Sequence, residues 1–238
     1  MTERLYYDQA YLTEFDGKVL ACEPDGTYYH VLLDRSAFYP TSGGQPHDTG
    51  LLGEARVVDV NVKDGDVWHT VTAPLAVGET VHGKIDWARR FDHMQQHSGE
   101  HLVMGQIYGK FGYHNVGFHM GADTVTIDFD VMIPPEDLEE LENAANQAIY
   151  ENLPVACEYP PEEALPGIPY RSKKALAYPV RIVTVPGCDC CACCGVHVER
   201  TGEIGLIKLF SCVKFPQGVR SEMACGGKAL SMLSRVYE

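Results

Sequence analysis

Apolar and polar positions alternate in short runs along the first third of the chain, the period-two pattern of half-buried strands. Runs rich in Val, Tyr and Leu, such as Tyr28 to Leu33 and Val57 to Val62, are punctuated by Asp25-Gly26 and Asp64-Gly65. Asp-Gly between two such runs signals a hairpin, because both residues tolerate the positive φ of a tight turn. Residues 1–86 are therefore expected to form a β-barrel-like domain.

The period then changes. Asp86 can cap a helix running to about Lys110, with Phe91, Met94, Leu102 and Ile107 available to a core. A second helix is expected from Pro135 to Asn152, where proline suits the first turn and Glu136, Asp137, Glu139 and Glu140 complement the positive end of the dipole. Strand-like runs return at Thr124 to Phe129, Arg181 to Val185 and Ile204 to Phe210. Four prolines within 158–170 predict an extended connection, and a short helix is expected from Gly227. The predicted fold class is α+β: a barrel-like domain over 1–86, then a domain over 87–238 with helices on an antiparallel sheet.

A chain of 238 residues and 26.3 kDa can bury the core of two such domains. No apolar run approaches the roughly 18 residues of a membrane span, and Met1-Thr2-Glu3-Arg4 lacks the basic and apolar regions of a signal peptide. A cytoplasmic protein with no membrane partner is expected, with its nine cysteines serving as thiols or metal ligands rather than a disulfide framework. The net charge of −14 argues against nucleic acid, but its distribution is uneven. Residues 166–238 carry ten basic against five acidic side chains, among them Arg171, Lys173, Lys174, Arg181, Lys208, Lys214 and Arg220. This third is the expected nucleic-acid-facing segment, if one exists.

Three stretches carry candidate chemistry. His93, His97 and His101 share one helical stripe, and adjacent members stand one turn apart, where a single ion can take a nitrogen from each. Eight residues of helix rise about 12 Å, so His93 and His101 cannot share an ion held about 2 Å from each nitrogen. The segment 188–194 holds five thiols in seven positions, and Cys193 alone stands four residues before His197. His97, His101, Cys193 and His197 form a three-nitrogen, one-sulfur set suited to one zinc ion. Cys188, Cys190, Cys191 and Cys194 leave room for a structural zinc or redox module without catalysis. His97-Ser98-Gly99-Glu100-His101 also fits H-x-x-E-H, in which Glu100 would be the general base of a zinc peptidase. Finally, Thr41-Ser42-Gly43-Gly44-Gln45 reads either as a tight turn or as backbone that lets a ligand approach closely.

The pair His97/His101, the later Cys193-Cys194-Gly195-Val196-His197-Val198 and Thr201-Gly202-Glu203-Ile204-Gly205 resemble the editing domain of alanyl-tRNA synthetase and its free-standing AlaX-type relatives. Ser42-Gly43-Gly44-Gln45 is similar to the N-terminal motif of members that carry a barrel before the zinc domain, and Phe118-His119-Met120-Gly121 and Gly218-Val219-Arg220 extend the likeness. Cys194 and Val196 depart from the family's usual Cys-Gly-Gly-Thr-His. The resemblance implies one zinc on His97, His101, Cys193 and His197. It also implies an amino-acid pocket using Thr41, Gly43, Gly44, Gln45 and His119, with Thr41, Gln45 and Glu100 as catalytic candidates. The implied reaction is ATP-independent hydrolysis, in trans, of the ester joining serine, or glycine, to tRNA(Ala). The acceptor end would meet residues 166–238, and no obligate protein partner is expected.

Overall fold

The computed structural model describes residues 1–172, 176–215 and 218–236. The chain divides into two units, Met1–His93 and Met94–Glu238, and the division falls inside a helix, seven residues beyond the boundary at 86/87 expected from the change of period.

In the first unit β1 (Glu3–Arg4) pairs in parallel with β4 (Arg35–Ser36), and a single turn of helix, α1 (Leu5–Asp8), follows β1. The remaining strands are β2 (Glu14–Asp25), β3 (Tyr28–Leu33), β5 (Gly50–Leu52), β6 (Ala55–Lys63), β7 (Asp66–Val71) and β8 (Thr80–Ile85). They close into a barrel in the order β2-β3-β7-β6-β5-β8, every pairing antiparallel. The alternation is literal in β2, where Phe15, Gly17 and Val19 are buried between exposed Glu14, Asp16, Lys18 and Leu20. The β6–β7 turn needs positive φ at both central residues, and Asp64 (54°) and Gly65 (85°) supply it.

Two buried polar groups organise this unit. Arg90, fully buried, donates from Nε to both oxygens of Asp48 (3.0 and 2.9 Å) and from Nη1 to the Ala10 carbonyl (2.8 Å). Asp48 also accepts the Tyr39 backbone N–H at 2.6 Å, so the pair fixes both ends of the connection holding Thr41 to Gln45. His69 donates from Nδ1 to the Val31 carbonyl (3.1 Å) and so accepts at Nε2 from the Ser36 hydroxyl (2.7 Å). Burial pushes its pKa down to about 4.

The second unit holds most of α2 (Trp87–Phe111) and an antiparallel sheet ordered β14-β15-β10-β9. Its strands are β9 (Gly117–Met120), β10 (Val125–Phe129), β14 (Ile207–Phe215) and β15 (Gly218–Cys225). Helices α3 (Pro135–Tyr150) and α4 (Gly226–Val236) pack on β14 and β15. A second antiparallel sheet contains β11 (Ala156–Glu158), β12 (Ile182–Val185) and β13 (Asp189–Ala192), in that order. The α+β class with antiparallel sheets is thus as expected.

Four local expectations are corrected. α3 stops at Tyr150 because Asn152 turns left-handed, with φ 51°. The proline-rich connection contains a 3₁₀ turn at Glu162–Gly167, since the fixed φ of proline suits that turn as well as an extended chain. Thr201–Ile204 form another 3₁₀ turn closed by Glu203, whose carboxylate accepts the Arg200 N–H at 2.9 Å, so β14 begins only at Ile207. The middle of the cysteine-rich run, Asp189–Ala192, forms strand β13 rather than a loop, while Cys188 lies in the turn before it and Cys193 and Cys194 in irregular chain after it.

Candidate metal centre

One stretch of α2, from Gln96 to His101, is buried although most of its side chains are polar. Buried polar groups need partners, and the helix obtains them from the chain packed against it. Gln96 exchanges bonds with the backbone of Cys225, donating to its carbonyl at 2.9 Å and accepting its N–H at 2.8 Å. Gly99 and Gly105 let neighbouring chain approach: a Cβ on Gly99 would lie 2.2 Å from the Cys225 sulfur, and one on Gly105 would lie 2.1 Å from the Cys188 carbonyl oxygen. The helix is therefore held between the end of β15 and the β12–β13 turn.

That placement brings together His97, His101, Cys193 and His197, whose donor atoms all lie within 4.8 Å of one another. The Cys193 sulfur is 3.5 Å from Nε2 of both His97 and His197. With zinc–nitrogen bonds near 2.0 Å and zinc–sulfur near 2.3 Å, a tetrahedral site separates nitrogen from sulfur by about 3.5 Å. The three imidazoles and one thiol fit that ion without rearrangement of type or number.

Cys193 and His197 reach the site differently from the helical pair. No helix contains them; they lie on the irregular segment leaving β13, so their spacing of four is a loop geometry and not a helical turn. Arg181, buried, donates from Nη1 to the carbonyls of Cys193 (3.0 Å) and Gly195 (2.8 Å), and the Gly195 N–H points at the Cys193 sulfur from 3.2 Å. Gly195 has no alternative, since a Cβ there would stand 2.1 Å from the His97 ring.

Each imidazole has a different neighbour on its outer side. His97 stacks on Phe118, with centroids 5.2 Å apart. His197 Nδ1 meets the Ser98 hydroxyl at 3.1 Å, which also accepts the Val198 N–H at 3.2 Å. His101 donates from Nδ1 to Asp189 at 2.8 Å, and Asp189 in turn receives Arg171 Nε at 2.6 Å and Nη2 at 2.8 Å. Burial opposes ionisation of Cys193, but the His97 and His101 rings beside it outweigh burial and hold the thiol well below its usual range. Burial likewise opposes charge on His101, and the Cys193 sulfur and Asp189 reverse it, raising His101 to about 10. At His197 burial prevails, lowering it to about 3.

The other sequence candidates lie as follows. Glu100 is buried and accepts from Asn115 Nδ2 at 3.3 Å, and its charge acts on the Arg171 guanidinium. It is absent from the metal-capable groups found among the described residues. His119 is exposed on β9, one residue from Phe118, and strand alternation turns it away from the face on which Phe118 stacks against His97. In the first unit, Gly43 (φ 59°) and Gly44 (φ 85°) make a tight turn closed by reciprocal bonds between Ser42 and Gln45 (3.1 and 2.9 Å). Thr41 Oγ1 accepts the His47 N–H at 3.2 Å, and Gln45 is fully buried. All nine cysteines are free thiols. Within β13 Cys190 and Cys191 are neighbours and point to opposite faces, Cys188 lies in the turn before the strand and Cys193 and Cys194 beyond its end, and among the described residues no metal-capable group contains two cysteines. In the group His101, Asp189 and Cys191, both Asp189 oxygens already accept from the Arg171 guanidinium.

The basic segment also changes character. Arg171 and Arg181 are buried, Lys208 pairs with Glu142 at 2.8 Å, and Arg220 pairs with Asp128 at 2.6 Å. Lys214 is exposed, and Lys173 and Lys174 lie outside the described residues. Part of the basic excess of this segment is therefore interior, which a count of charges along the chain does not reveal. Asp189, Arg171, Arg181, Ser98 and Phe118 surround the four potential ligands without any spacing in the sequence that marks them.

Among the described residues no helix is long and apolar enough to cross a membrane. The model for the family described as "tRNA synthetases class II (A)" matches residues 3–89, and that for the "Threonyl and Alanyl tRNA synthetase second additional domain" matches residues 180–237. The chain is 36% identical over 244 residues to the alanine–tRNA ligase of Pyrococcus furiosus, covering 96% of this chain and 26% of the ligase. It is 34% identical over 244 residues to the alanyl-tRNA editing protein Aarsd1-A of Xenopus laevis, covering 95% of this chain and 59% of that protein. It is also 34% identical over 221 residues to alanyl-tRNA editing protein Aarsd1 of Danio rerio, covering 86% of this chain and 53% of that protein. The chain thus spans about a quarter of the ligase and somewhat over half of the editing proteins. With both halves matched, the alignment running nearly end to end and the four-ligand cluster assembled, the chain belongs to the AlaX-type alanyl-tRNA editing family, related to the editing domain of alanyl-tRNA synthetase.

Proposed function

We propose that the protein is a zinc-dependent hydrolase that deacylates mischarged tRNA(Ala) in trans, with Ser-tRNA(Ala) the main substrate and Gly-tRNA(Ala) a second. The observation that carries the reading is the convergence of His97, His101, Cys193 and His197 in a chain that aligns over 95% of its length with alanyl-tRNA editing proteins. When bound, zinc supplies a fixed positive charge and Lewis acidity beside the aminoacyl ester. The protein side chains supply the rest. Phe118 and the segment Cys193 to His197, locked by Arg181, shape the surroundings of the ion.

A pocket that packs alanine discriminates one added or missing atom by only about 1–3 kcal/mol, which is why a separate hydrolytic site is needed. A site that hydrogen-bonds the serine hydroxyl spares alanine, because alanine leaves those groups unpaired. We assign this sensing to Thr41 and Gln45 on the Gly43-Gly44 turn, and tRNA contact to the 166–238 segment. The single-stranded acceptor end binds by stacking and a few phosphate contacts, so an acidic protein can hold it.

Incubation with seryl-, glycyl- and alanyl-tRNA(Ala) is the direct test. Release of serine, with alanine retained, is expected. Chelation should stop release and added zinc restore it, while Thr41→Val should erode the preference for serine over alanine. Equal release of serine and alanine would remove the editing assignment.

A further inference from the structure

The outer nitrogen of His101 meets a charged group. Its Nδ1–H donates to Asp189 at 2.8 Å, whereas His197 Nδ1 meets the hydroxyl of Ser98. Asp189 is itself immobilised: the Arg171 fork takes both of its oxygens at 2.6 and 2.8 Å, and the three side chains are 6% exposed or less. The fork is mounted on main chain. Arg171 donates its N–H to the Cys190 carbonyl at 2.8 Å and accepts the Ala192 N–H at 3.0 Å, so its backbone is paired with the strand that carries Asp189. On the other side Gly105 clears the way, since a Cβ there would lie 3.0 Å from the Asp189 Cβ.

We infer that Asp189, clamped by Arg171, is a positioning residue that holds His101 with its proton on Nδ1 and Nε2 presented to the metal. The inference rests on the zinc reading of the site. A carboxylate behind a ligating imidazole fixes tautomer and ring angle and makes the ligand a stronger donor, and its removal typically weakens metal binding about 10- to 100-fold. The Arg171 fork keeps that carboxylate from rotating out of plane or reaching the ion as a fifth ligand. Arg171 thereby acts through Asp189 on His101, and this basic residue serves the ion rather than the tRNA.

The test uses the full chain stripped of metal and titrated with Co²⁺ and Zn²⁺ against a competing chelator, alongside melting of the metal-free and loaded forms. The wild type is expected to bind one ion, with a thiolate-to-cobalt absorption that Cys193→Ala removes. Asp189→Asn, which can still accept from Nδ1–H, is expected to bind about 10- to 100-fold more weakly, with an altered cobalt spectrum. Its gain in melting temperature on loading should shrink, whereas a merely structural residue would lower both melting points alike. Arg171→Lys, the milder variant should Asp189→Asn not fold, is expected to lose roughly tenfold. A wild type that binds no ion overturns this inference together with the zinc reading. Variants that bind within twofold of a metal-binding wild type, with an unchanged spectrum, overturn the inference alone.

Discussion

Two buried arginine–aspartate pairs, one in each unit, use the same chemistry for different ends. In the barrel, Arg90 and Asp48 spend their remaining bonds on backbone: the Ala10 carbonyl from the arginine and the Tyr39 N–H to the aspartate. In the second unit, Arg171 and Asp189 pass their order to a side chain, the His101 imidazole, one of the four side chains placed to hold a metal ion. A buried ion pair is thus not informative by itself. The third partner decides whether the pair fixes the path of the chain or the angle of a ligand.

The largest effect that sharpens this contrast is expected from Cys193→Ala. It should abolish deacylation and ion binding, while hydrogen exchange around Arg90 and Asp48 stays unchanged. Arg90→Met should do the reverse. Stranding a buried carboxylate costs about 3–5 kcal/mol, readable in denaturant melts, whereas zinc affinity in whatever fraction remains folded should stay within about twofold. A loss of zinc affinity there would break the distinction between the two pairs.

A smaller effect, confined to the barrel, is expected from pH. His69 has a folded pKa of about 4, below the ordinary value near 6.5, so the unfolded chain binds more protons between those values. Stability should be full above about pH 6.5, fall through that window and level off below about pH 4, by on the order of 3 kcal/mol in all. His69→Gln should flatten this part of the profile, and an unchanged slope would show that His69 is not its source. The smallest effect belongs to the half-exposed pair of Arg220 and Asp128, at 2.6 Å. Arg220→Ala should lower stability least of these variants, and less still in high salt. A loss comparable with Arg90→Met would mean that burial is not what separates the pairs.

Much of the fold could be read in advance where the cause is local. The Asp64-Gly65 turn and the alternation of Phe15, Gly17 and Val19 depend on backbone geometry over a few residues, and the β2 and β6–β7 segments formed accordingly. His97 and His101 were legible for the same reason, one turn apart on α2. Cys193 and His197 were selected by analogy with that helical spacing and do join them, but through an irregular segment pinned by Arg181. Among the dense cysteines it is the one aspartate, Asp189, that contacts His101, and no local pattern marks it.

The sequence by itself determined the elements and the chemical types available to the site: two hairpin-rich and helical regions, a histidine pair and a cysteine–histidine pair. Only the tertiary structure decided which of these meet, and which charges are interior. Asp189 is 88 residues from His101 and 18 from Arg171 along the chain. No periodicity spans such separations, because the register of β13 against β12, and the close approach of the β12–β13 turn to Gly105 of α2, arise only when the whole unit packs.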